Sequence, residues 1–207
     1  MPAHLLILLI HGGAFLFGNA ASMQPQANEF HRLAPHAQVR SVEYPLGSPD
    51  LAYDYVRRIA VRHRGPVIVY GFSAGGWVAT RLAARGEITA AVTIAGVYHL
   101  DAWARFARFP PLSRAILGIT SAAGRRRLNP HPGASAVPQL MLHGDRDPTA
   151  PLSDAKAYAR EDRFAHLWIM HGIGHDQPAG PVSRAMRWVL AEIRRPWPEW
   201  ISPNTAR

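Results

Sequence analysis

The chain has 207 residues, 48% of them hydrophobic and 18% charged, a balance that excludes a disordered chain and suits one compact domain. It contains no cysteine, which removes disulfide frameworks, cysteine zinc sites and a thiol nucleophile together. The net charge of +9 rests almost wholly on scattered arginines, Lys156 being the single lysine, with no interleaved aromatic residues to stack bases; nucleic acid is not an expected partner.

The first apolar run lies in a strand expected over 4–10 (HLLILLI). It is too short, and lacks the basic flank and cleavage site, for a secretory signal. Nothing approaches the roughly 18 apolar residues that span a membrane. A cytoplasmic protein with no membrane partner is the expectation. A helix follows over about 22–35, then a strand over 38–44 (QVRSVEY), then a helix over about 50–64 that Ser48-Pro49-Asp50 opens with cap chemistry. The strand 66–70 (PVIVY) leads into a helix over 74–85 closed by Gly86, and the strand 89–95 (TAAVTIA) comes next.

From 99 to 136 the rhythm changes. Two short helical patterns, 101–108 and 113–127, precede a Pro/Gly-rich segment, NPHPGAS, so this stretch reads as a lid-like excursion above the sheet. Arg125, Arg126 and Arg127 read as a solvated helix end. A strand over 138–143 (PQLMLH), a helix over 153–162, a strand over 165–170 (AHLWIM) and a helix over 180–195 complete the pattern, and the tail from Arg195 reads as an extended strap. Apolar strands alternating with helices predict an α/β fold: a three-layer α/β/α sandwich around a mostly parallel sheet of about six strands, in one domain over 1–207.

Four short segments carry chemistry, each just beyond a predicted strand. Gly71-Phe72-Ser73-Ala74-Gly75 lies at a strand-to-helix turn, where a serine is forced into a strained conformation that lifts its oxygen clear of the sheet. Its flanking glycines permit the close approach of neighbouring backbone. The bland alternative is a tight turn with an N-capping serine. His11-Gly12-Gly13-Ala14-Phe15 can aim the N–H groups of Gly13 and Ala14 at a developing oxyanion, opposite the N–H of Ala74. In His143-Gly144-Asp145-Arg146-Asp147-Pro148, Asp147 stands further past the strand and is favoured as the orienting carboxylate; Asp145 is expected to hold loop N–H groups instead. In Gly172-Ile173-Gly174-His175 the glycines allow His175 to reach Ser73, whereas His171, nearer the strand, is expected to be more buried. The order Ser73, Asp147, His175, each member after a separate strand, is that of a hydrolase triad.

On these segments the sequence resembles the α/β-hydrolase superfamily, in its esterase branch with an H-G-G-x oxyanion loop, which includes hormone-sensitive-lipase-like enzymes and small acetyl-ester hydrolases. The resemblance runs from His4 to about Arg194. HGGAFLFG is similar to the oxyanion loop, with Ala14 in place of a third glycine. VEYPL at 42–46 is similar to the strand that precedes helix B, and GFSAGG, HGDRDPTAP and GIGH to the nucleophile elbow, acid loop and histidine loop. Two departures stand out: the family's first two strands and its N-terminal helical cap have no counterpart here. The strand 38–44 is then expected to be a sheet edge, covered by the C-terminal strap or paired with a second copy as a homodimer.

The resemblance implies a serine esterase for a small-molecule ester with a short acyl chain, needing no metal and no organic cofactor. His175 would take the proton of Ser73 while Asp147 holds its tautomer. Phe15, Phe17, Phe72, Trp77, Tyr98 and Trp103 are the expected pocket walls. The same triad could serve an amidase or aryl-formamidase, a thioesterase or a peptidase, and the same fold a non-catalytic binding protein.

Overall fold

The computed structural model describes residues 4–129 and 135–176; the expected helix over 180–195, the C-terminal strap and the middle of NPHPGAS lie outside those residues. Six strands alternate with helices in chain order. β1 (Leu6–Ile10) is followed by a 3-10 turn at Ala20–Met23 and α1 (Gln24–Leu33), β2 (Gln38–Val42) by α2 (Pro49–Arg62), and β3 (Val67–Phe72) by α3 (Ala74–Ala84). β4 (Ala90–Ile94) leads into three short helices, α4 (Leu100–Phe106), α5 (Pro111–Ile116) and α6 (Ala122–Leu128). β5 (Gln139–Gly144), α7 (Leu152–Glu161) and β6 (Ala165–Met170) complete the described chain.

Every strand pairing is parallel, in the order β2-β1-β3-β4-β5-β6, and each strand is joined to the next in the chain through a helix or helices, the β2-to-β3 connection crossing β1. β1, β4 and β5 are buried along their whole length. Alternation sorts their side chains. Leu6, Leu8 and Ile10 pack with Ala52, Val56, Trp77 and Val78 of α2 and α3 on one face; Ile7 and Leu9 pack with Ala27 and Phe30 of α1 on the other. That two-sided cover is why these strands read as unbroken apolar runs. Among the described residues β2 pairs with β1 alone and forms an edge.

The excursion matches expectation in its first helix, α4, and differs in its second. The pattern over 113–127 is not one helix but α5 and α6, separated where Gly118 adopts a φ of +71°. Ser121 then caps α6 by accepting from the Gly124 amide at 3.0 Å. None of α5 is buried, and only Leu128 of α6 is. Two indoles stitch the excursion down: Trp77 donates to the Leu128 carbonyl and Trp103 to the Thr149 carbonyl. No helix among the described residues is long and apolar enough to cross a membrane.

Candidate active site

β3 runs on to Phe72, so Ser73 is the first residue beyond the sheet and the residue before α3. Its φ of 52° and ψ of −116° are a strained conformation for a residue with a Cβ, of the kind that costs about 1–3 kcal/mol. Three hydrogen bonds pin it. Its amide donates to Ile94, and its carbonyl accepts from Gly76 and Val97, at 3.0, 2.9 and 3.1 Å. The glycines are required by contact. A Cβ on Gly71 would stand 2.2 Å from the Gly75 carbonyl oxygen, and one on Gly75 would stand 2.3 Å from that of Ile10. Ser73 caps no amide of α3, so the N-cap reading fails.

The freed hydroxyl meets an imidazole instead. His175 Nε2 lies 3.0 Å from Ser73 Oγ, and its Nδ1 lies 2.8 Å from Asp147 Oδ2. With the proton on Nδ1 donated to the carboxylate, Nε2 is left to accept from the serine hydroxyl. Asp147 Oδ1 accepts from the amides of Thr149 and Ala150, at 2.8 Å each. Burial pushes the Asp147 carboxyl up, but the His175 and amide hydrogen bonds outweigh it and hold the group below the usual carboxylate range. Asp147 is therefore ionised at neutral pH. Asp145 accepts from the Gly172 amide at 2.7 Å and pairs with His171 at 2.9 Å. His171 is 87% exposed in its side chain, contrary to the expectation that it is the more buried histidine; it lies outside the row because Asp145 draws it out to the surface.

A residue that sequence reasoning passed over supports the carboxylate. His143, on β5, is fully buried; its Nε2 donates to the Ala150 carbonyl at 2.9 Å and lies 3.6 Å from Asp147 Oδ2. Burial holds its imidazole below the ordinary value, hence neutral. Its signal was only its place on an apolar strand two residues before a functional loop.

The H-G-G loop lies against the serine: a Cβ on Gly12 would stand 3.0 Å from Ser73 Cβ. Gly13, Ala14 and Phe15 all have positive φ, at 103°, 57° and 61°. Phe15 is wholly buried against Trp77 and Tyr44, and its carbonyl accepts from Gly47 at 2.7 Å, so an anchored side chain holds the loop in that conformation. Tyr44 adds a second tie, its hydroxyl 3.0 and 3.3 Å from the carbonyls of His11 and Gly12. Among the described residues, no hydrogen bond takes up the amides of Gly13 and Ala14, and the Ala74 amide, at the start of α3, has no partner within its helix.

These groups open on a cavity of about 440 Å³. Gly13, Ala14, Ser73 and His175 line it, as do Phe17, Phe72 and Trp103 among the expected walls. Phe15, Trp77 and Tyr98 do not. All three are fully buried in the core, where Phe15 and Trp77 pack edge to face and Tyr98 shares a hydrogen bond with Thr93 and stacks on Tyr158. The remaining wall comes from residues not anticipated, chiefly Leu16, Phe109, Pro110, Ser113 and Thr149. Among the described residues no three side chains of His, Cys, Asp or Glu converge as a metal site.

No protein-family model matches the sequence, and no curated protein does. Solved structures do match. A propionate-bound thermophilic esterase from the planctomycete Thermogutta terrifontis is similar with a TM-score of 0.75 at 17% identity, over 93% of this chain and 85% of that one. A monoacylglycerol lipase from Paleococcus ferrophilus is similar at 0.69 and 15%, over 90% and 94%. A puromycin-hydrolysing peptidase from Mycobacterium tuberculosis is similar at 0.72 and 18%, over 92% of this chain and 34% of that one. At these identities the likeness is one of architecture: the chain has the α/β-hydrolase fold.

Proposed function

We propose that the protein is a serine hydrolase that cleaves carboxylic esters of short acyl chains through an acyl-enzyme on Ser73. The single observation that carries this reading is the row Asp147–His175–Ser73, with spacings of 2.8 and 3.0 Å, beside the unoccupied amides of the H-G-G loop. The resemblance of the H-G-G loop to that of the esterase branch supports the ester reading.

The steps follow from the geometry. An ester enters the cavity with its carbonyl oxygen toward Gly13, Ala14 and Ala74. Ser73 Oγ attacks the acyl carbon as its proton passes to His175 Nε2, and the oxyanion takes hydrogen bonds from the three amides. Each such donor contributes about 3 kcal/mol to the transition state. Asp147, ionised and fixed by two amides, stabilises the imidazolium. When the C–O bond breaks, the leaving alkoxide takes the proton from Nε2. Water, deprotonated by the same nitrogen, then attacks the acyl-enzyme, and Ser73 leaves with the proton. A cavity walled by Phe17, Phe109 and Trp103 suits a short apolar acyl group, in keeping with the propionate held by the Thermogutta esterase.

The test is labelling with a fluorophosphonate probe followed by kcat/KM for p-nitrophenyl esters from acetate to dodecanoate. Labelling at Ser73, a maximum at acetate to butyrate, and loss of both in a folded Ser73→Ala variant are expected. An unreactive Ser73 would end the hydrolase reading. A long-chain maximum would end the short-chain one, and faster turnover of matched amides or thioesters would replace esters as the substrate class.

A further inference from the structure

A second cavity, of about 300 Å³, lies within the excursion and does not include Ser73. Its wall includes Asp101 and Arg105 of α4, Pro111 and Arg114 of α5, Thr120, and Arg125 of α6. Three arginines and one aspartate thus line one space, an excess of two positive charges. Both oxygens of that carboxylate are occupied: Oδ2 accepts from Arg105 and Oδ1 from Asn129, at 3.1 Å each. Arg125 belongs to the run that reads from sequence as a solvated helix end, yet it turns inward, donating to the carbonyls of Ile119 and Thr120 at 3.3 and 3.1 Å.

Arg114 is the unexplained member. Its side chain makes no hydrogen bond or ion pair among the described residues, and its Nε is buried without a partner. A partly buried cation that pairs with no carboxylate among the described residues, beside two others, is unfavourable unless an anion completes the group. The planar fork of arginine fits a tetrahedral oxyanion through paired N–H bonds.

We propose that this cavity is a binding site for a soluble phosphate, either inorganic phosphate or a small phosphomonoester, held chiefly by Arg114 with Arg105 and Arg125. The cavity is larger than a bare phosphate needs and leaves room for a small organic substituent. Binding there needs nothing from the ester chemistry, but the two sites share a helix: Pro110 and Ser113 line the Ser73 cavity while Pro111 and Arg114 line this one. An anion on Arg114 therefore ties α5, which buries no residue of its own, to α4 and α6.

The full chain is titrated calorimetrically with inorganic phosphate and with glycerol 3-phosphate, in chloride buffers of matched ionic strength. Arg114→Gln removes no hydrogen bond or ion pair formed among the described residues and should bind either ligand about tenfold more weakly, the loss of one charge-assisted contact. Arg126→Gln removes the same charge from an exposed position outside the cavity and should leave affinity within about twofold. Arg114→Lys keeps the charge without the fork and should fall between them. Hydrogen exchange over 111–116 should slow on phosphate binding. Equal losses in Arg114→Gln and Arg126→Gln would overturn the assignment, as would phosphate binding no better than chloride or binding seen only with phosphatidate vesicles.

Discussion

Asp147 and Asp145 differ by two positions in one loop, and the structure gives them unlike surroundings. Asp147 is buried between His175 and two amides, while Asp145 sits at the surface with His171 and the Gly172 amide. Replacing Asp147 by Asn keeps the shape but presents an N–H or a neutral acceptor to Nδ1, so the imidazole loses its tautomer control; kcat on p-nitrophenyl acetate should fall roughly 10⁴-fold, as in serine-protease triads. Asp145→Asn weakens an exposed pair, keeps an oxygen to accept from the Gly172 amide, and should change kcat less than about threefold. The reverse ranking would exchange their roles. That Asp147 and not Asp145 pairs with His175 was legible in sequence because the pairing turns on distance past a strand, a property of spacing. The walls were not legible in the same way. Trp77 and Trp103 are the same residue on helical patterns, yet only Trp103 reaches the cavity, because α3 packs flat on the sheet whereas α4 bridges from the excursion to Thr149. Burial among aromatics depends on tertiary neighbours that no local pattern encodes.

At the scale of elements, the strands were legible because two-sided burial writes itself as apolar runs, and the second half of the excursion was not. Its helices are six or seven residues long, too short for a period to fix their ends, and the break at Gly118 hides within a helix-compatible composition. Besides the two indoles, a polar clip anchors this stretch. Asp154 of α7 accepts from the amides of Tyr98 and His99 at 3.2 Å each, and its other oxygen meets His99 Nδ1 at 2.6 Å. The hydrogen bond that His99 donates to Asp154 raises its imidazole above the ordinary 6.5, outweighing burial, with Asp101 and Glu161 adding to the rise. A raised value in the folded state means that protonation favours folding. The contribution is fully present below pH 6.5, where the unfolded chain is also protonated, and is lost as pH rises through the higher folded-state value. Urea unfolding of the wild type and of His99→Gln should therefore show a stability gap that narrows from pH 6 to pH 9. A gap that is constant or widens would show that the clip works through the neutral ring alone.

The described residues divide into a body, in which three distant segments converge at the C-terminal ends of the strands, and an excursion between β4 and β5. β1, β4 and β5 are buried throughout, while α5 buries nothing and is held by its neighbours alone. Local opening free energies follow buried contact, so backbone amides of the central strands should exchange only through global unfolding, and those of 111–116 through small openings nearly independent of denaturant. Since Pro110, Ser113 and Phe109 form part of the wall facing Ser73, a phosphonyl group on Ser73 gains contacts from this segment and should slow its exchange while leaving the strands unchanged. Peptide-resolved hydrogen exchange on the free and fluorophosphonate-labelled protein measures both. Protection of 111–116 equal to that of β4, or no change on labelling, would mean that the excursion is a fixed part of the body rather than a lid over the cavity.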